Sequence, residues 1–189
     1  MNRILNHSKF YRYLSLFSAL ILILIGTIVI FGWYTHNESI VQVQSGFAPT
    51  HFNTALSLFL MGLAIILILI NKKKASIIPS LLVFVIATST VIEYIFNLNF
   101  GIDELFIEDY IFIKTSSPGR MGLNTAICLA LGSFGLLVTS LKLFRKHFNY
   151  ILFPISVAIG FIGIISLVGY FIGFESAYGW SHWTRMSIS

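Results

Sequence analysis

The chain has 189 residues, of which 57% are hydrophobic and only 10% are charged, and its formal net charge is +5. Its mean hydropathy is +0.88. So little polar surface cannot solvate a water-soluble globule of this length, and the composition therefore predicts an integral protein of the lipid bilayer. We interpret the positive charge as a topology signal and expect no binding to nucleic acid.

The first apolar run, residues 14–33, carries no charge and as a helix would be about 30 Å long, which matches the hydrocarbon core of a bilayer. Further runs predict spans at about residues 54–70, 76–98, 125–141 and 150–173. Residues 20–25 are apolar at every position, whereas a β-barrel strand alternates apolar and polar residues. We predict an all-α membrane protein with five helices in a single transmembrane domain, residues 1–189. We expect the first span to be retained, because its apolar run is too long for a secretory signal and no small-residue cleavage pattern follows it.

A short sequence pattern recurs at the start of two spans. Asn53, Thr54 and Ala55 open one apolar run, and the same three residue types open another at residues 124–126. Arg120 and Met121 lead into the second copy, and Arg-Met recurs at 185–186 with no apolar run after it. The pattern predicts repeated transmembrane helical hairpins whose third member is truncated, and hence a fragment of a longer protein. We interpret Asn53 and Asn124 as helix N-caps.

Basic residues are distributed unequally between the two predicted sides of the membrane. Nine of the 12 lysines and arginines precede the first span or lie in the second-to-third and fourth-to-fifth connections; the exceptions are Lys114, Arg120 and Arg185. All seven acids fall in or near the opposite segments. The positive-inside rule therefore predicts a cytoplasmic N-terminus and an outer C-terminus.

The longer outer segments, residues 34–53 and 99–123, are where recognition could occur. Ile102, Leu105 and Phe106 have helical spacing with acids between them, which predicts a short helix in the membrane interface. A Ser-Ser-Pro-Gly sequence at 116–119 predicts a turn back toward the membrane.

Glu93 is an acid near the outer end of the third predicted span, where a carboxylate is costly unless it is paired, protonated or hydrated. We predict a polar cluster of Glu93, Tyr94, Asp103 and Arg120 at the outer mouth of the bundle, as a candidate sensing site. The alternative is that Glu93 reaches the interface and bonds to Tyr94 or Arg120 without a sensory role.

Aromatic residues at the outer ends predict an interfacial belt that includes Trp33, Tyr170, Trp180 and Trp183. A quinone or heme site is a weaker alternative. His36, His51 and His182 share the outer side with Asp109 and Glu175, but no metal-binding spacing connects them. We therefore expect no metal and no cofactor. We also expect no catalytic activity, because the soluble segments hold no catalytic motif.

The chain resembles the N-terminal multi-helix membrane region found ahead of PAS, histidine-kinase or diguanylate-cyclase domains in many bacterial sensor proteins. The matching elements span roughly residues 85–189, and the first hairpin matches more loosely. They are Glu93-Tyr94-Ile95-Phe96, Gly101-Ile102-Asp103-Glu104-Leu105, Pro118-Gly119-Arg120-Met121, Asn124-Thr125-Ala126, Gly169-Tyr170, Tyr178-Gly179-Trp180 and Thr184-Arg185-Met186.

The resemblance implies a sensory input module that relays a stimulus by helix movement to a sixth helix and a cytoplasmic output domain, both absent from this chain. Its partners would be the lipid bilayer and either a second copy of the chain or the missing C-terminal region of the same protein. Two other classes remain open: a fragment of a transporter or channel, and a structural membrane subunit.

Overall fold

The computed structural model describes residues 2–42, 48–111, 117–141, 143, 148–172 and 184, with side chains from residue 9 onward except that of Phe148. The described regular structure consists entirely of helices. They are α1 (Asn2–Tyr34), α2 (Glu38–Val41), α3 (Phe52–Leu69), α4 (Lys73–Phe96), α5 (Leu123–Leu141) and α6 (Phe148–Ile172).

Five of these helices, all except α2, are long and apolar enough to cross a membrane, which confirms the predicted all-α class and number of candidate spans. The ends of α3, α4, α5 and α6 differ from the predicted ones by three residues at most. Helix α1 differs more, because it begins at Asn2 and the prediction began at residue 14. The intervening residues contain no proline or glycine that would stop a helix, so α1 continues beyond its apolar portion.

Helices α3 and α5 lie at the centre of the bundle. Helix α3 packs against α1, α4 and α5, while α5 also packs against α4 and α6. Helices α1 and α6, as described, do not contact one another and therefore lie at opposite sides of the bundle.

The backbones of α1 and α3 approach closely at Gly62. A Cβ atom at Gly62 would lie 2.6 Å from the carbonyl oxygen of Ala19. Ala19 and Ala64 are fully buried. Small residues at this interface allow the backbone contact that stabilises helix pairs in an apolar environment.

Two clusters of buried apolar residues hold the helices together. One fills the end of the bundle near α2, and the other packs α4 against α5. The buried members of the first are Val29, Trp33, Val41, Phe52, Ala55 and Ile111. Those of the second are Val83, Ala87, Met121, Ala126 and Leu129. Ile111 of the first cluster and Met121 of the second belong to the connection between α4 and α5, so this connection is anchored to the bundle.

The predicted interfacial helix after residue 99 is wrong. Residues 97–111 form turns, bends and irregular structure, in which Leu105 and Phe106 are exposed. The acids of this segment bond to groups that a helix would place elsewhere: Asp109 accepts hydrogen bonds from backbone amides, and Asp103 pairs with Arg120. Such side-chain bonds stabilise loop conformations in preference to a helix.

Candidate functional site

One end of the bundle is covered by a cap, which we define as the described residues 35–42, 48–51, 97–111 and 117–122. The cap holds two buried groups of ionisable side chains. The first comprises Arg120, Asp103 and the helical Glu93, and the second pairs His51 with Asp109. Buried charges are costly unless paired, so each group constrains how the loops fold over the helices.

Arg120 lies at the centre of the first group. Its Nε donates to Oδ2 of Asp103 at 2.7 Å, and its Nη2 lies 3.5 Å from Oε2 of Glu93. The same Nη2 donates to the carbonyl oxygen of Leu98 at 3.2 Å. Arg120 is 5% exposed and Glu93 is fully buried. One guanidinium therefore connects the end of α4, the loop after it and the residues that lead into α5.

Glu93 also determines how α4 ends. Its main-chain oxygen accepts the amides of Asn97 and Leu98, and Asn97 adopts the left-handed conformation common at helix C-termini. Its side-chain Oε1 accepts the amide of Phe100 at 2.6 Å. Glu93 is buried by the loop that it organises, and its contact with Arg120 is the pairing that the alternative without a sensory role also predicted.

Tyr94, the next residue, completes the same group from the α4 side. Its hydroxyl donates to the carbonyl oxygen of Met121 at 3.0 Å, and the Cζ atom of Arg120 lies 5.6 Å from the centre of its ring. The second contact is within the range of a cation–π interaction. The structure thus brings together all four residues of the predicted cluster.

The protonation state of Asp103 depends on pH in the mildly acidic range. Burial raises its pKa to about 6, although the hydrogen bond and charge of Arg120 act in the opposite direction. Its Oδ1 has no hydrogen-bond partner among the described residues. At neutral pH Asp103 is ionised, and mild acidification would protonate it and weaken its contact with Arg120.

The second group, His51 and Asp109, was considered in the sequence only for a metal site. Nδ1 of His51 lies 3.7 Å from Oδ2 of Asp109, and neither ring nitrogen of His51 bonds to a described residue. Burial lowers the pKa of His51 to about 4, against the opposing charge of Asp109. His51 is therefore neutral at pH 7. The sequence gives no signal that His51 and Asp109 are buried together, because they lie 58 residues apart (109 − 51).

Gly119 connects the two groups. Its amide donates to Oδ2 of Asp109 at 2.7 Å, and the next residue, Arg120, binds Asp103. Gly119 has a φ of +68°, and a Cβ atom there would lie 2.6 Å from the carbonyl oxygen of Asp103. The predicted turn at Pro118 and Gly119 is present, with the amide of Arg120 bonded to the carbonyl oxygen of Ser117.

The N-cap interpretation of Asn53 and Asn124 is wrong. Helix α3 begins at Phe52 with His51 at the N-cap position, and Asn53 donates through Nδ2 to the carbonyl oxygen of Ile102 at 2.8 Å. Asn124 is the second residue of α5, inside the helix, and is buried. The amide of Asn53 is engaged by a loop distant in the sequence, which a local capping pattern cannot reveal.

Trp33 is also placed differently from the predicted aromatic belt. It is 1% exposed, and its Nε1 donates to the carbonyl oxygen of Thr50 at 2.8 Å. Its ring packs edge-on against Tyr110. Trp33 therefore anchors the cap to α1 and does not face lipid.

The other three residues of the predicted aromatic belt are only partly described by the structure. Tyr170 is half-buried near the end of α6. Trp180 and Trp183 lie outside the described residues. Among the described residues there is no group of three or more histidine, cysteine, aspartate or glutamate side chains that could hold a metal ion.

The cap can act as a charge-dependent clamp. It connects α3 through Asn53, α4 through Glu93 and the start of α5 through Arg120. A change in the charge of one buried group would leave its partner buried without compensation and weaken these connections.

No known protein family, no curated protein and no solved structure matches the chain.

Proposed function

We propose that the chain is a multi-pass sensory input module of a bacterial inner-membrane signalling protein, in which the cap receives the stimulus and α3, α4 and α5 relay it. The observation that carries this proposal is the buried contact of Arg120 with Asp103 and Glu93. It joins a loop outside the helices to the last turn of α4 and to the residues that lead into α5.

The proposed membrane location is supported by the outward faces of the helices. On α1 and α6, large apolar side chains are exposed along the length of the helix, as expected of surfaces in contact with lipid. Examples are Phe17, Leu24, Phe31, Phe153, Phe161 and Phe171.

The distribution of charge supports a sensor over a transporter. The charged residues of the five long helices precede the apolar run of α1 or lie in the first and last turns of α4: they are Arg3, Lys9, Arg12, Lys73, Lys74 and Glu93. Transporters generally place substrate or ion sites near the middle of the membrane. Charge concentrated in a cap is better suited to detecting a change outside the bilayer.

The proposed topology places the cap outside the cell and the opposite end, with Lys72–Lys74, in the cytoplasm. Single cysteines at Leu105 and Lys74, both exposed, would test it after Cys128 is replaced by serine. We expect a membrane-impermeant maleimide to label the Leu105→Cys variant in intact spheroplasts. The Lys74→Cys variant should be labelled only after lysis, and the reverse pattern would refute the topology.

The sensory role is tested in the complete gene product expressed in membranes, with phosphotransfer or cyclic-dinucleotide synthesis as the measured output. Glu93→Gln should change that output while membrane insertion is retained, because the substitution removes the charge and keeps the shape. Glu38→Gln is the matched control, since Glu38 is an exposed acid of the same cap. A gene product without either output, or equal output from Glu93→Gln and the parent under all activating conditions, would refute the proposal.

A further inference from the structure

The end of the bundle opposite the cap, here called the basic end, carries cations without carboxylate partners. Lys9, Arg12 and Lys72–Lys74 lie there, whereas the described acids belong to α2, the last turn of α4 and the cap. None of these five cations is within ion-pair distance of a described carboxylate. Their charge is therefore available to an external anion.

Three of these cations line one cavity. Lys72, Lys73 and Lys74 surround an open space of about 1110 Å³ between the α3–α4 connection and the end of α5. The other lining residues are Asn71, Ala75, Ile77, Ser140 and Leu141. A second, separate cavity of about 420 Å³ holds Lys9 and Arg12.

Ser140, which lines the cavity, is held in place by a contact with Ser76 behind it. The hydroxyls of Ser76 and Ser140 lie 2.7 Å apart, and Ser76 also donates to the carbonyl oxygen of Lys73. Both serines are buried, so this bond fixes the start of α4 against the end of α5. The lysines thus surround a site whose base does not depend on the ligand.

The surface next to the lysines is apolar. Ile78 is 66% exposed, and Leu81, Leu82 and Val85 continue the exposed apolar surface along α4. A soluble phosphate would use only the lysines, whereas a phospholipid would place its phosphate at the lysines and its acyl chains along these residues. The combination fits an anionic phospholipid.

We propose that the cavity at Lys72–Lys74 is a binding site for the headgroup of an anionic phospholipid, with its acyl chains against the exposed face of α4. The inference rests on the membrane location in the proposed function and is independent of the sensory role. The bound lipid would hold the α3–α4 connection against the end of α5 at the membrane surface.

The test is a titration of the purified chain in a zwitterionic detergent with phosphatidylglycerol, followed by native mass spectrometry. We expect one tightly retained phosphatidylglycerol and about thirtyfold weaker binding for the double variant Lys72→Gln/Lys73→Gln. Lys9→Gln/Arg12→Gln removes the same charge from the same end and should bind within about twofold of the parent. Lys72→Arg/Lys73→Arg should retain binding, which excludes a loss caused by misfolding.

Three results would overturn the proposal: equal losses for the two glutamine variants, equal retention of phosphatidylcholine, or displacement of the lipid by inorganic phosphate. Because this titration is done in detergent and measures no signal, it can fail while the sensory proposal stands. The output assay with Glu93→Gln can likewise fail without affecting the lipid result.

Discussion

Arg120 contacts its two carboxylates unequally: Nε lies 2.7 Å from Oδ2 of Asp103, while Nη2 lies 3.5 Å from Oε2 of Glu93. Both acids are buried, so a single cation compensates two anions. The shorter contact is a charge-assisted hydrogen bond and the longer one is mainly an electrostatic contact. Burial, together with the nearby Glu93, raises the pKa of Asp103 to about 6, although the shorter contact with Arg120 acts in the opposite direction.

Removal of Arg120 should destabilise the protein more than removal of the whole charged group. We expect Arg120→Met to lower the free energy of unfolding by about 3–5 kcal/mol, because it leaves two buried carboxylates without a cation. The triple variant Arg120→Met/Asp103→Asn/Glu93→Gln should lose less stability, because it leaves no buried carboxylate without a cation. Denaturant unfolding in micelles, followed by tryptophan fluorescence, measures the free energy of unfolding of both variants. Arg12→Met is the control: Arg12 is exposed, so its substitution should change the stability by less than about 1 kcal/mol. A triple variant less stable than Arg120→Met would contradict this account.

The pH dependence of stability should be weak in the parent and strong in two variants. The pKa of Asp103 rises from 3.8 to about 6 on folding, so its contribution is present below pH 3.8 and is lost as the pH rises through 6. The pKa of His51 falls from 6.5 to about 4, so its contribution is present above pH 6.5 and is lost as the pH falls through 4. Between pH 4 and 6 the two effects oppose one another.

Replacing either His51 or Asp103 should reveal the pH dependence of stability that the other residue contributes. His51→Phe should become less stable as the pH rises from 4 to 6.5, and Asp103→Asn less stable as the pH falls over the same range, each by about 3 kcal/mol. Unfolding curves at half-unit pH intervals measure these slopes. Identical pH profiles for the parent and both variants would show that neither group titrates in this range.

Gly119 should tolerate a methyl group less well than Gly101, although both have a positive φ. A Cβ atom at Gly119 would lie 2.6 Å from the carbonyl oxygen of Asp103, whereas nothing lies within 4 Å of one at Gly101. We expect Gly101→Ala to cost about 1 kcal/mol from backbone strain alone, and Gly119→Ala to cost about 2–4 kcal/mol. Thermal unfolding of the two variants under the same conditions makes the comparison. Equal destabilisation would show that the turn moves freely away from Asp103.

Gly62→Ala should separate α1 from α3. The added Cβ would meet the carbonyl oxygen of Ala19 at 2.6 Å, a backbone atom that can move only with the helix. We expect a loss of about 1–3 kcal/mol. Gly160→Ala on α6 is the control, because nothing lies within 4 Å of that position and the change should stay below about 1 kcal/mol. A Gly62→Ala variant as stable as the control would contradict the close packing of α1 and α3.

The five long helices were predictable because span length and apolar composition are local properties. Four were placed within three residues at each end, and only α1 extends further, since its polar first turns contain nothing that ends a helix. Glu93 was recognisable for a related reason: an acid within an apolar run requires compensation, and few charged residues nearby could provide it.

The remaining features depend on contacts between residues far apart in the chain. Asn53 has the sequence context of a helix cap, yet it donates to Ile102 because the loop after α4 folds over the start of α3. Trp33 has the context of an interfacial residue, yet it is buried, and its indole N–H donates a hydrogen bond to the carbonyl oxygen of Thr50. The same long-range folding places His51 beside Asp109 without a hydrogen bond to either ring nitrogen. Local sequence thus determined which segments are helices, whereas the tertiary structure determined which polar groups are buried together, because burial and pairing depend on the packing of segments that the sequence order does not reveal.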